Sequence, residues 1–371
     1  MKLFINGRFL TQPVSGVQRY AREILTALDG QLTEPADVLV PRAVDHPDWR
    51  MLRPRIVRGG RGHLWEQVAL ARASRAGVLL SLGNTGPLTH PAQIVAFHDA
   101  HLYDMPEAFS RYYRLIHRVL RPRLAQRAAE LVTVSTHSAR QLAHHLTVPM
   151  SRFSIVPNAA EHVLTWPKTA ATPQRYGLRP GDYLLTVGNR SPNKNIAALV
   201  EAHGLAGPDI PELVIIGGTT PGVAEDRLGK GARALGRVPD ADLRGLYEGA
   251  SGFVFPSLNE GFGIPPLEAM ALGVPVLCAK AGAMPELFGQ APVWFDPRDI
   301  RDMSVTMRCF AQMPGSERRE MRRRGLEVAE MYRWRDSAAN LLGIVTRVRN
   351  RQGSMAGTSS QTAELIPVSR R

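Results

Sequence analysis

The chain has 371 residues, 44% of them hydrophobic and 21% charged, enough apolar material for two soluble domains with separate cores. No apolar run is long enough to cross a bilayer, and the opening Met1-Lys2-Leu3-Phe4-Ile5-Asn6 turns polar too early for a signal peptide, so a cytoplasmic protein is expected. A net charge of +13 points to a polyanionic partner, nucleic acid or an anionic membrane surface, while the two cysteines, Cys278 and Cys309, give neither a disulfide framework nor metal-ligand spacing.

Lys2 to Ile5 reads as a first strand, followed by a loop and a helix from Gly16 to Leu28 with Val17, Tyr20, Ala21, Ile24 and Leu28 on one face. Gly16 opens that helix and suits a plain strand-to-helix turn as well as a ligand-facing loop. Val38 to Val40 is a second strand, Arg50 to Arg61 a basic loop, and His63 to Ser74 a helix with Leu64, Val68 and Ala71 in register. The strand Val78 to Leu82 ends in turn residues, and the strand from Gln93 to Phe97 delivers His98 and Asp99 to its carboxyl end, where open α/β sheets bind ligands. A lone histidine there fits a satisfied structural role or a reacting one.

Pro106 to Leu120 has helical spacing and stops before Pro122. It sets Arg111, Arg114 and Arg118 among Tyr112, Tyr113, Leu115, Ile116 and Val119, either a solvated face over an ordinary core helix or a face lying on an anionic membrane. The strand Leu131 to Ser135, the helix Thr136 to Leu146 and the strand Ser154 to Asn158 complete a first domain, residues 1–165. Residues 166–180, rich in Pro, Thr and Ala, read as a linker.

A second domain, 181–332, opens with the strand Tyr183 to Val187 and a turn carrying Arg190 and Lys194. A forked guanidinium beside a point charge suits the adjacent oxygens of a diphosphate, although basic residues at a turn also serve as plain surface. Strands at Glu212 to Ile216 and Ala234 to Val238, a helix from Asp240 to Gly249 and a strand Gly252 to Phe255 lead into Glu260-Gly-Phe-Gly-Ile-Pro-Pro-Leu-Glu268. Pro265 and Pro266 suit a first helical turn, and Gly261 and Gly263 let the backbone approach a ligand, so the helix start forms an anion site. Glu268, in that first turn, can take two vicinal ribose hydroxyls, and Glu260 stands on the other side of the loop. Hydroxyls at both ends and charge in the middle describe a nucleotide-sugar. A turn followed by a dipole-compensating glutamate would use the same residue types. A strand Val274 to Leu277 and three helices, Arg298 to Met313, Ser316 to Tyr332 and Trp334 to Val348, follow, with a Ser/Thr/Gly-rich, disordered tail expected over 351–371.

The stretch from Phe255 to Val276 resembles, nearly residue for residue, the donor-site signature of the retaining GT-B glycosyltransferases of family 4 (glycosyl transferases group 1), with its two glutamates separated by seven residues. The resemblance implies an α/β GT-B fold: two Rossmann-like, doubly wound domains facing across a cleft, with a helix over 333–350 crossing back to the first. It implies a nucleotide-diphosphate sugar donor held by the second domain, and a glycan or lipid-linked acceptor held by the first. Gly16 would face the leaving phosphate, and His98 and Asp99 would stand beside the transferred sugar, whose hydroxyls Glu260 would hold. Arg190, Lys194 and the backbone of Gly261, Phe262, Gly263 and Ile264 would meet the diphosphate, Val238 the base and Glu268 the ribose.

The donor is a substrate, so no resident cofactor is expected; no Asp-x-Asp pair stands at a strand end, so no metal is expected either. The N-terminal segment looks most like bacterial polysaccharide mannosyltransferases using GDP-mannose, with UDP-sugars as the alternative donors. No nucleic-acid-binding motif occurs, which leaves the basic first half suited to lie peripherally on the inner membrane face. Gln290, where an acidic residue is usual, and the doubled proline at Pro266 are the departures from the family pattern.

Overall fold

The computed structural model describes residues 1–169, 171–218 and 232–361. Seven parallel strands, β1 (Lys2–Asn6), β2 (Ala36–Val40), β3 (Leu52–Ile56), β4 (Gly77–Ser81), β5 (Gln93–Ala96), β6 (Glu130–Thr133) and β7 (Phe153–Ile155), form one sheet in the order β3-β2-β1-β4-β5-β6-β7. Six more, β8 (Tyr183–Val187), β9 (Glu212–Ile216), β10 (Arg233–Gly236), β11 (Gly252–Phe255), β12 (Val276–Ala279) and β13 (Val293–Phe295), form a second parallel sheet in the order β10-β9-β8-β11-β12-β13. Helices cover both faces, so the central strands are apolar at successive positions: Val78, Leu79 and Leu80 in β4, and Leu213, Val214, Ile215 and Ile216 in β9, are all buried. Winding reverses between β1 and β4 in one sheet and between β8 and β11 in the other. Crevices open at the carboxyl ends of such strand pairs, and those ends carry the site.

Several local expectations give way to packing. The basic loop at 50–61 contains β3, an edge strand in which Leu52 alone is buried and Pro54 is tolerated because one side of the strand is unpaired. Asp29 starts it by accepting the backbone N–H groups of Arg50, Met51 and Leu52 at 2.8, 2.8 and 2.7 Å. In the helical stretch 62–74 a π-turn over Glu66–Leu70 shifts the phase, so Trp65, Glu66 and Leu70 are buried while Leu64 and Val68 stay 65% and 60% exposed. The helix expected from Pro106 begins instead at Arg111, capped by Ser110, and runs through Pro122 to Arg127. Burial of Leu120, Leu124 and Ala125 along its inner face outweighs the roughly 3 kcal/mol of an internal proline.

The carboxyl-terminal helix, Trp334–Gln361, lies on the first domain: Ser337 Oγ donates to the Pro157 carbonyl at 2.8 Å, Gln31 Nε2 to the Arg335 carbonyl at 2.8 Å, and Arg351 pairs with Glu130 at 2.7 Å. It extends through residues expected to be disordered from Arg351 on; the rest of that tail, 362–371, lies outside the described residues. Among the described residues no helix is long and apolar enough to cross a membrane.

Candidate active site

At the carboxyl end of β8 the chain makes a 3-10 turn, Pro192–Lys194, before the helix Ile196–Ala206, and this turn carries Lys194 toward the end of β11. There the Lys194 ammonium meets Glu260 at 2.6 Å and sits 5.4 Å from the centroid of the Phe255 ring. The two side chains are 20% and 12% exposed, a charged pair on the wall of the cleft and not a surface ornament. Arg190, half-buried, precedes the same turn and is engaged in contacts of its own.

The loop after Glu260 ends at Gly263, whose φ of +95° suits glycine, and Ile264 begins the helix Ile264–Ala271. With Pro265 and Pro266 next, Ile264 supplies the one backbone N–H of the first three helical positions, so the anion cradle is smaller than a run of free donors would make it. Glu268 is the fifth helical residue, past the first turn where the sequence reading puts it, and is turned inward at 5% exposure. Its Oε1 accepts from His162 Nε2 at 2.9 Å and its Oε2 from the Tyr247 hydroxyl at 2.9 Å. Burial works to raise its pKa; the His162 hydrogen bond, the nearby Arg19 and the Tyr247 hydrogen bond outweigh it and hold the carboxyl below the usual value.

On the facing domain, β5 delivers His98 and Asp99 as its sequence implies. His98 Nε2–H donates to the Leu82 carbonyl at 2.8 Å and the Tyr20 ring stands edge-on at 4.7 Å. Burial lowers the His98 pKa, so the ring is neutral near pH 7, with Nδ1 left as an acceptor. Burial acts to raise the Asp99 pKa, yet His101 and Arg121 outweigh it and lower it, so this side chain is a carboxylate; its Oδ1 accepts the His101 backbone N–H at 3.1 Å. Gly16 begins the helix Gly16–Asp29 in an exposed position behind Ser15, whose side chain makes no capping bond.

The two domains meet at the signature loop. The Gly261 carbonyl accepts from Ser135 Oγ at 2.6 Å, and a Cβ at Gly261 would lie 2.3 Å from the His98 carbonyl oxygen, so only glycine fits. His101 Nε2–H donates to the Asn259 carbonyl at 2.9 Å, and Glu286 accepts the backbone N–H groups of Thr136 and His137 at 2.8 and 3.1 Å. The fold thus brings His98, Asp99, Gly261, Glu260 and Lys194 to one edge of the cleft. Of the other expected residues, Phe262 follows Gly261 with its ring buried edge-on against Tyr332, which leaves its backbone, the part expected to meet the diphosphate, for a ligand. Val238 follows the end of β10, two strands away from β8, and packs partly on the core.

Two groups escaped the sequence reading. One surrounds Glu268: Arg19, His162, Tyr247 and Trp334. The other lies at the carboxyl ends of β1 and β4, where the fully buried Glu66 accepts from Asn6 Nδ2 at 2.9 Å and Thr85 Oγ1 at 2.8 Å and pairs with Arg8 at 3.1 Å. Each cluster joins residues tens of positions apart, and no local motif marks them. Among the described residues no three His, Cys, Asp or Glu side chains converge as metal ligands.

Residues 172–328 match the family described as glycosyl transferases group 1. Over 255 residues, 65% of this chain and 66% of the relative, the chain is 31% identical to O-antigen chain mannosyltransferase B of Escherichia coli. It is 27% identical over 246 residues, 60% of this chain, to the serotype-specific mannosyltransferase WbdA of Escherichia coli, of whose length it spans 29%. Among solved structures, Anabaena HepE in complex with UDP and glucose superposes with a TM-score of 0.68 at 15% identity, covering 96% of this chain and 99% of that one. That likeness establishes the fold, two Rossmann-like domains in the GT-B arrangement.

Proposed function

We propose, from the match of residues 172–328 to the glycosyl transferases group 1 family, that the protein transfers a hexose from a nucleotide-diphosphate sugar to a glycan or lipid-linked oligosaccharide in polysaccharide biosynthesis, retaining the anomeric configuration. Mannose from GDP-mannose is the first choice, supported by the mannosyltransferase relatives. A UDP-sugar is the second, supported by the UDP complex of a protein with the same fold.

The observation that carries this reading is the Lys194–Glu260 pair, 2.6 Å apart at the carboxyl ends of β8 and β11 and on the same cleft edge as His98 and Asp99. An arriving donor would exchange that bond for two better ones. Lys194, with Arg190 and the N–H groups around Gly261 to Ile264, would turn to the diphosphate as charge builds on it, and Glu260 would take hydroxyls of the sugar. Once donor binding has turned Lys194 to the diphosphate, donors fixed in a partly desolvated cleft stabilise the charge that builds in the reaction, which is why no metal ion is proposed. Gly16, at the open amino end of its helix, would face the phosphates and Val238 the base. The neutral His98 would accept from a hydroxyl on the reacting face, with Asp99 holding the His101 turn beside it.

The first domain is proposed to rest on an anionic membrane. Tyr112, Leu115 and Val119 are 76%, 69% and 49% exposed along one helix beside Arg111, Arg114 and Arg118. His63 and His117, ring centroids 5.0 Å apart, join this helix to the one exposing Leu64 and Val68. Apolar side chains ringed by arginines suit the headgroup boundary.

The test is slow donor hydrolysis, followed by NMR of the sugar released from GDP-mannose and UDP-glucose, with and without EDTA. Release of the donor's own anomer, insensitive to EDTA, is expected; the opposite anomer, or a strict need for metal, contradicts the mechanism.

A further inference from the structure

Glu268 is held by residues from three other segments. His162 lies in the short turn after the first sheet, Tyr247 in the helix Asp240–Gly249 and Trp334 at the start of the returning helix. Trp334 Nε1 is 3.2 Å from His162 Nδ1, and an indole N–H can only donate. His162 Nδ1 is therefore the acceptor, its single proton sits on Nε2, and that proton points at Glu268 Oε1 2.9 Å away. The His162 side chain is 2% exposed, so no water competes for this arrangement.

Trp334 is itself fixed. Its backbone N–H donates to Glu161 Oε1 at 2.5 Å and its ring stands edge-on to Tyr20 at 5.9 Å. Arg19 approaches Glu268 from the first domain, hydrogen-bonded to Asp240 at 2.6 Å and 5.2 Å over the Trp166 ring. A carboxylate has about four acceptor positions; His162 and Tyr247 occupy one on each oxygen, leaving one on each for two neighbouring hydroxyls.

We propose that His162, its ring held with Nε2–H toward Glu268 by the hydrogen bond from Trp334, is the positioning residue that aims the Glu268 carboxylate at the ribose of the donor, so that seating of the carboxyl-terminal helix on the first domain sets the donor site of the second. This rests on the donor-site reading above. It adds a reason for the returning helix to begin with a tryptophan: phenylalanine would fill the space but leave Nδ1 without the donor that fixes the ring's orientation, with Glu268 alone to hold it.

The experiment compares wild type with His162→Gln, His162→Leu and Trp334→Phe by calorimetric binding of GDP and UDP and of their 2′,3′-dideoxy forms. Nitrogen-15 NMR of the histidine rings reports the tautomer without ligand. Wild type should prefer the ribonucleotide by about tenfold or more, as expected for a hydrogen bond to a charged group. His162→Leu should lose that preference while binding the dideoxy form unchanged; His162→Gln, whose amide N–H can replace Nε2–H, should keep most of it. Trp334→Phe should shift the Nδ1 resonance, the Nε2–H form persisting against the carboxylate, and reduce the preference several-fold. Unaltered preference in both His162→Leu and Trp334→Phe overturns the inference alone, leaving a network that only cements the domains. Failure of wild type to bind any nucleotide overturns the donor-site reading and the ribose role with it.

Discussion

Lys194 and Glu260 hold each other in the resting site, so removing either leaves a partly buried charge without its partner. Lys194→Ala is expected to lower kcat/KM by about 10²–10³, the range for deleting one preorganised donor to developing charge, with the fold intact by circular dichroism. The three carboxylates Glu66, Asp99 and Glu268 all have folded pKa values below their ordinary ones, despite burial that acts the other way. A depressed pKa contributes stability that is complete above the ordinary value and is lost as pH falls through the folded one. Thermal unfolding midpoints should therefore be flat near neutrality and fall below about pH 4.5, the ordinary value for Glu66 and Glu268. Glu268→Gln should be less stable at neutral pH and show a shallower acid slope. Lys194 and Glu260 could be singled out as candidates from the sequence because each stands in a turn-rich loop after a strand; their pairing, across 66 positions, was not legible. His162 was not, because its partner lies 106 positions away and nothing local distinguishes it from a filler histidine.

Elements were read well where one rule governed them and poorly where two competed. The strands β4, β5, β8 and β9 are plain apolar runs between turn residues. In the stretch 62–74 the apolar spacing chose Leu64 and Val68 as the inner face, but the π-turn rotated Trp65 and Leu70 inward instead. The proline rule ended the 111–127 helix early because it takes no account of the buried side chains beyond Pro122. The exposed stripe this leaves makes a prediction. Leu115→Glu with Val119→Glu should abolish sedimentation with phosphatidylglycerol vesicles while leaving binding of GDP and UDP unchanged; equal sedimentation of variant and wild type would contradict the membrane face. The helix Thr136–Leu146 shows a second dependence, since Ser135 caps it from within and Glu286 from the other domain. Glu286→Ala should cost about 1 kcal/mol, the usual worth of an amino-terminal cap, read by denaturant unfolding.

Across the whole molecule, alternation of strands and helices was enough to anticipate two doubly wound sheets, because each βαβ unit is encoded locally and its handedness is fixed. What local patterns do not encode is how the sheets face each other. That depends on contacts such as Ser135 to Gly261, Glu286 to Thr136 and Arg19 to Asp240, each between residues more than a hundred positions apart. The closed edge they form places the switch points of both sheets around one cleft, and a donor bound there would bridge the domains. Ligand that binds only the folded state raises the unfolding midpoint in proportion to the logarithm of its concentration. The decisive measurement is thermal unfolding against GDP, UDP, dTDP and ADP and their sugars, with wild type and Lys194→Ala side by side. One nucleotide, GDP or UDP, should stabilise wild type in a concentration-dependent way and lose most of that effect in the variant; stabilisation by none of them would contradict a donor site in this cleft.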